Sequence, residues 1–283
     1  MRTEAAAYRE VILAAVSRTP EDAVLFLSGG IDSATILAAA LSLGRRPACV
    51  SFTLGPNPSP DAKVARLMTT ETDVPLHLVV IDRSTKTLIR DTRRIIRIIG
   101  SSRKVAVQCC HGFVYLLEEA TRLGASAGII GMAAEELFGT TRAIQILYNT
   151  EGEAAARRMR REEWEDWEHP ADAVIARMAR DDFGVTLHDV YRDPTVAEYL
   201  LALDMDVIHR KRADKSLALE AFPEFWSRGA WHRPHADLQI VSGLREWHNT
   251  LLSSPINTRR VRAVVGVYND ILKEVQGAEL STR

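Results

Sequence analysis

The chain has 283 residues, 46% apolar and 26% charged, a composition that excludes a disordered or collagen-like polymer and suffices for one large core or two smaller ones. With 36 basic against 37 acidic residues the net charge is −1, so no global field draws the protein to nucleic acid or an anionic membrane. The longest apolar runs, 24–27 and 36–41, are too short to span a bilayer, and the N-terminus lacks the parts of a secretory signal, which predicts a cytoplasmic protein with no membrane contact.

Residues 4–16 carry apolar side chains at helical spacing, and the run 23–27 reads as a buried parallel strand. After a Ser-Gly-Gly turn, 33–43 is an alanine-rich helix stopped by Gly44. Residues 47–54 form a second strand closed by a proline-rich turn, and Ser59 is placed to N-cap a helix over 61–70. A third strand covers 76–81, helices follow over 86–99 and 114–123, and 127–131 is a fourth strand.

Beyond Thr141 strand signals largely disappear: 151–167 reads as a solvated helix rich in arginine and glutamate, and further helices are expected over 170–180, 195–203, 215–221 and 258–275. The pattern predicts an α/β fold, a parallel sheet with flanking helices, over 1–145, and a mainly helical part over 146–283 that could be continuous with it. In such a sheet ligands bind beyond the carboxyl ends of the strands, where the glycine turn lies.

The three cysteines, Cys49, Cys109 and Cys110, form no Cys-x-x-Cys pair and read as buried structural thiols, although Cys109-Cys110 precedes His111. His232 and His235 offer two zinc-type ligands without a third. With Trp226 and Trp231 they could wall a substrate site, against a plainer reading as core aromatics and surface histidines.

The chemistry lies in Ser28-Gly29-Gly30-Ile31-Asp32-Ser33. Glycines let backbone approach a polyphosphate, the following helix offers unpaired amides to an anion, and Ser28 and Ser33 add hydroxyls. Asp32 beside a phosphate site makes sense as a ligand to Mg²⁺. No lysine with Ser or Thr follows Gly30 as a Walker loop requires, which disfavours γ-phosphoryl transfer.

Leu27-Ser28-Gly29-Gly30-Ile31-Asp32-Ser33 resembles the pyrophosphate loop of the N-type ATP pyrophosphatases, which split ATP between its α- and β-phosphates. Ser51-Phe52-Thr53-Leu54-Gly55 with Ser59-Pro60-Asp61-Ala62-Lys63-Val64-Ala65, and Gly131-Met132-Ala133-Ala134-Glu135-Glu136-Leu137-Phe138-Gly139-Thr140, are similar to the synthetase domain of the asparagine synthetase and β-lactam synthetase group. Asp214-Lys215-Ser216-Leu217-Ala218-Leu219-Glu220-Ala221-Phe222 resembles that group's lysine-containing helix start, and the segment 183–193 its preceding stretch.

The resemblance implies ATP and Mg²⁺ as cofactors, with Phe26, Leu27, Ser28, Gly29, Gly30, Asp32, Ser33, Phe52 and Gly131 on the nucleotide, and Asp32 and Glu135 on the metal. It implies catalytic roles for Lys215, at the α-phosphate or departing pyrophosphate, and Glu136. Glu135-Glu136 could otherwise be an acidic first helical turn, and Lys215 part of a solvated basic run over 209–212.

Met132 stands where the group usually has a glutamate near the acceptor, and Glu135 replaces its aspartate. Arg2 occupies the place of a glutaminase's nucleophilic cysteine, so the nitrogen is expected from ammonia, an amine substrate or a separate glutaminase partner. The function implied is adenylation of a small-molecule acceptor, read as a carboxylate, followed by amide or lactam formation, in a protein compatible with homo-oligomer assembly. The alternatives are adenylation of a nucleobase or tRNA carbonyl and a non-catalytic ATP-binding regulatory subunit.

Overall fold

The computed structural model describes residues 3–166, 171–209, 215–226, 231 and 238–281. Arg2, Trp167, Pro170, His232, His235 and most of the basic run before Lys215 lie outside the described residues.

Five parallel strands form one sheet in the order β3-β2-β1-β4-β5: β1 Val24–Phe26, β2 Cys49–Leu54, β3 Leu76–Ile81, β4 Ala127–Ile130 and β5 Thr186–Asp189. Helices cover both faces, as a parallel sheet requires. Side chains alternate between the two cores: Leu25, Leu27 and Cys49 point into one, Val24, Phe26, Val50 and Phe52 into the other. The first core is closed by the helices Thr3–Ser17, Ile31–Ser42 and Ser216–Ala221, the second by Thr85–Ile99, Lys104–Arg122, Asp172–Phe183 and Val264–Ser281.

The first four strands fall where the apolar runs place them, whereas β5 corrects the expectation that strands end with β4. Thr186-Leu187-His188-Asp189 offers a single aliphatic side chain and sits on the sheet edge, so pairing with β4, not an apolar run, makes it a strand. The helix Lys104–Arg122 also begins ten residues before the expected start of 114. Val105, Val107 and a mid-helix Gly112 weaken its local signal, and burial of Cys110, His111 and Val114 overrides them. The helix expected over 151–167 is Glu153–Glu165, and a further helix, Arg142–Glu151, precedes it across Gly152 with φ +84°. The last expected helix starts later, at Val264.

Ser59 caps its helix as its sequence predicts, its hydroxyl accepting from Ala62 N at 3.2 Å. All three cysteines are buried free thiols; burial lifts Cys49 to about 12 and raises Cys110 as well, so neither is poised as a nucleophile. Trp231 is core: fully buried, it packs on Phe225 and Trp226 and donates from Nε1 to Glu71 Oε2 at 2.6 Å.

Candidate active site

In the order 3-2-1-4-5 the chain turns to opposite sides of the sheet after β1, so the crevice between the carboxyl ends of β1 and β4 is the topological switch point. A cavity of about 420 Å³ opens there. Phe26, Leu27, Ser28, Gly30, Asp32 and Ser33 line it from the end of β1, Phe52 from β2, and Gly131, Met132, Glu135 and Glu136 from the end of β4.

The loop after β1 is tied to itself. Ser28 N donates to Ser33 Oγ at 3.2 Å, Gly30 N to Ser28 Oγ at 3.2 Å, and the Ser33 hydroxyl to Gly30 O at 3.1 Å. Gly29 has φ +78°, and a Cβ there would lie 2.4 Å from the backbone oxygen of Asp61, so glycine is needed both for conformation and for clearance. The helix Ile31–Ser42 starts at Gly30, which brings no side-chain cap to the first-turn amides. That end suits an anion by geometry and by dipole.

Gly29 and Lys215 are the sequence-selected residues set behind the cavity wall. Lys215 is fully buried, not part of a solvated basic face, and its Nζ grips both oxygens of Asp32 at 2.7 and 2.6 Å across 183 residues of chain. Its Nζ also lies 5.3 Å from the centre of the Phe138 ring. Lys215 takes a left-handed backbone conformation, φ 54° and ψ 33°, costly for a non-glycine residue. His209 supports it: Lys215 N donates to His209 Nδ1 at 3.1 Å, leaving Nε2–H to donate to Phe138 O at 2.6 Å. The cation is thereby locked to the helix that carries Glu135 and Glu136.

That helix, Ala134–Phe138, is held from two further sides. Asp189, at the end of β5, accepts from Ala133 N at 3.1 Å and Tyr191 N at 3.0 Å. Burial, opposed by those amides and reinforced by the Asp172 charge, lifts its pKa to about 7. Arg160, fully buried in the helix expected to be solvated, donates from Nε and Nη2 to Leu137 O at 2.9 and 2.6 Å, and reaches Leu200 O and Leu203 O at 2.5 and 2.9 Å. It satisfies carbonyls at two helix ends, and burial drops its pKa to about 10.

Glu136 is only 7% exposed, and its Oε2 has no hydrogen-bond partner among the described residues. Burial raises its pKa to about 8; the Asp172 and Glu135 charges push the same way, against Arg192 and the backbone amide of Glu136 itself. Asp172 also lines the cavity and pairs with Arg192 at 3.2 Å.

The sequence reading missed Arg160, Asp172, Asp189 and His209. Arg160 falls four residues after the buried Ala156, a helical spacing that marks one face and could have flagged it. Asp189 lies inside the segment already noted as similar to a family stretch, whereas Asp172 and His209 carry no local signal.

Sheet order and cavity place the protein among the parallel α/β folds with helices on both faces and a ligand crevice at the topological switch point. The chain belongs to the asparagine synthase family, whose model matches residues 7–193. Membership brings ATP-dependent synthetase activity in general terms. The solved structure of NMN synthetase from Francisella tularensis is similar at 16% identity and a TM-score of 0.35, covering 84% of this chain and 98% of that one; a likeness of this grade carries no functional argument. No curated protein sequence matches the chain. Among the described residues no helix is long and apolar enough to cross a membrane.

Proposed function

We propose that the protein splits ATP between its α- and β-phosphates, adenylates a small-molecule carboxylate, and joins it to a nitrogen nucleophile as an amide or lactam. The observation that carries this reading is the Asp32–Lys215 pair, set at the phosphate-type loop and tied through His209 and Phe138 to the helix of Glu135 and Glu136. A buried lysine pre-placed at a helix start offers positive charge where negative charge grows as pyrophosphate departs.

Among the described residues no group of three or more histidine, cysteine or acidic side chains could cage a metal. Two cavity carboxylates, Asp32 and Glu135, fit the habit of Mg²⁺, which takes few protein ligands beside phosphate oxygens and water. Mg²⁺ held there would neutralise the polyphosphate and orient it. Phe26, Leu27 and Phe52 then provide the apolar bed for the adenosine side, and Ser28, Gly30 and Ser33, on the turn that Gly29 permits, cradle the phosphates, with Gly131 facing them from the end of β4. Glu136, with a pKa near 8, is suited to accept a proton from the nucleophile.

Incubation with ATP, Mg²⁺ and a metabolite extract, followed by mass spectrometry, tests the proposal. A new amide together with AMP is expected; AMP-independent turnover, or consumption of ATP with no new amide, contradicts it.

A further inference from the structure

The reacting carboxylate and ATP account for the loop side of the cavity, but not for the wall built after β4. There Glu135, Glu136 and Asp172 converge, and no lysine or arginine lines the cavity among the described residues. Arg192, whose charge acts on Glu136, lies against Asp172 at 3.2 Å. Glu136 is the exceptional member: it is more than nine-tenths buried, it lines the cavity, and its Oε2 has no partner among the described residues. An unpaired buried acceptor is costly, so this oxygen is held ready for a ligand group.

Around it the wall is apolar. Met132 precedes the helix, and Ala171 and Ile175 flank Asp172; all three line the cavity. A second carboxylate in the substrate would meet acidic groups of its own sign. An ammonium would meet an unpaired carboxyl and a negative surrounding, with hydrocarbon beside it.

We propose that the nitrogen-bearing substrate is a primary ammonium on an apolar body, seated with its charge on Glu136 and its body against Met132, Ala171 and Ile175. This deepens the synthetase reading and rests on it for the substrate's place in the reaction, but the binding site itself needs no ATP. Met132, at the position where the family's usual glutamate is absent, then belongs to the apolar seat.

Hexylammonium, hexanol, hexanoate and ammonium chloride, titrated calorimetrically into ATP-free protein, form the test. Hexylammonium should bind the wild type at least tenfold more tightly than hexanoate or ammonium chloride, and Glu136→Gln should weaken it at least tenfold without changing the response to hexanol. The comparison of the four ligands on the wild type alone keeps the proposal testable if the variant does not fold. Equal hexylammonium binding by wild type and variant, tighter hexanoate binding, or ammonium chloride binding as tightly as hexylammonium would overturn it. The synthetase reading fails separately, by absence of AMP and pyrophosphate, so the two failures are distinguishable.

Discussion

At the cavity Glu136 is buried with an oxygen unpaired, whereas between the helices of the second core His248 is buried with both ring nitrogens engaged. His248 Nε2 lies 2.9 Å from His111 Nδ1, and its Nδ1 lies 2.6 Å from the Tyr268 hydroxyl. His111 Nε2 points on to Asp91 at 3.5 Å, and Tyr115 donates to Asp91 at 2.5 Å. One proton order serves the chain: Tyr268 to His248, His248 to His111, His111 toward Asp91. It joins the helices Thr85–Ile99, Lys104–Arg122, Leu244–Asn249 and Val264–Ser281. His111 Nε2 is the loose end of this network, without a hydrogen bond among the described residues but facing a buried carboxylate, whereas the unpaired oxygen of Glu136 belongs to a residue that lines a cavity.

The two clusters load opposite limbs of the stability–pH curve. Burial lowers the pKa of His111 and His248, so the unfolded chain takes up protons first as pH falls below about 6.5, and stability is lost on the acid side. Burial works against Asp91, but bonds from His111, Arg90 and Tyr115 hold it well below the usual carboxylate range, adding a loss at more acid pH. Glu136 and Asp189 are raised, to about 8 and about 7; their contribution is complete below their ordinary values and lost as pH rises through the folded ones.

The largest expected effect comes from Asp32→Ala. Pyrophosphate release should disappear, and Lys215 should be left buried without its carboxylate, costing about 3–5 kcal/mol in denaturant unfolding. Asp32→Asn with Lys215→Met separates the two losses: stability should largely return and activity should not. Arg160→Met comes next; it strands three backbone carbonyls and should cost about 3 kcal/mol or more, with a loss of turnover because the helix of Glu135 and Glu136 loses its anchor.

His248→Leu should cost about 1–3 kcal/mol and flatten the acid limb measured by thermal melts, leaving ATP cleavage nearly unchanged. Glu136→Gln should flatten the alkaline limb instead. If both variants flattened the same limb, the contrast between the core cluster and the cavity cluster would be wrong. The smallest effect is Ser59→Ala, about 1 kcal/mol from a lost helix cap.

Much of the α/β half was legible because its strands are continuous apolar runs and its turns carry glycine and proline. The loop at Ser28 and the pair Glu135-Glu136 were legible because their chemistry is contiguous in sequence. β5 was not, since its strand character comes from pairing with β4 rather than from Leu187 alone. Arg160, Asp189 and His209 act on backbone groups tens of residues away, which local patterns do not register. Lys215 was found from its motif, but its surroundings were not legible, because its ammonium meets Asp32 and Phe138, both distant in the chain.

Phosphorus NMR of the products, with ATP, Mg²⁺ and metabolite extract supplied to the full chain, tests the central claim most directly. Cleavage at the Ser28–Asp32 loop predicts AMP and pyrophosphate in equal amounts, both absent with Asp32→Asn. ADP and inorganic phosphate from the wild type, at a rate the Asp32 substitution does not change, would contradict it.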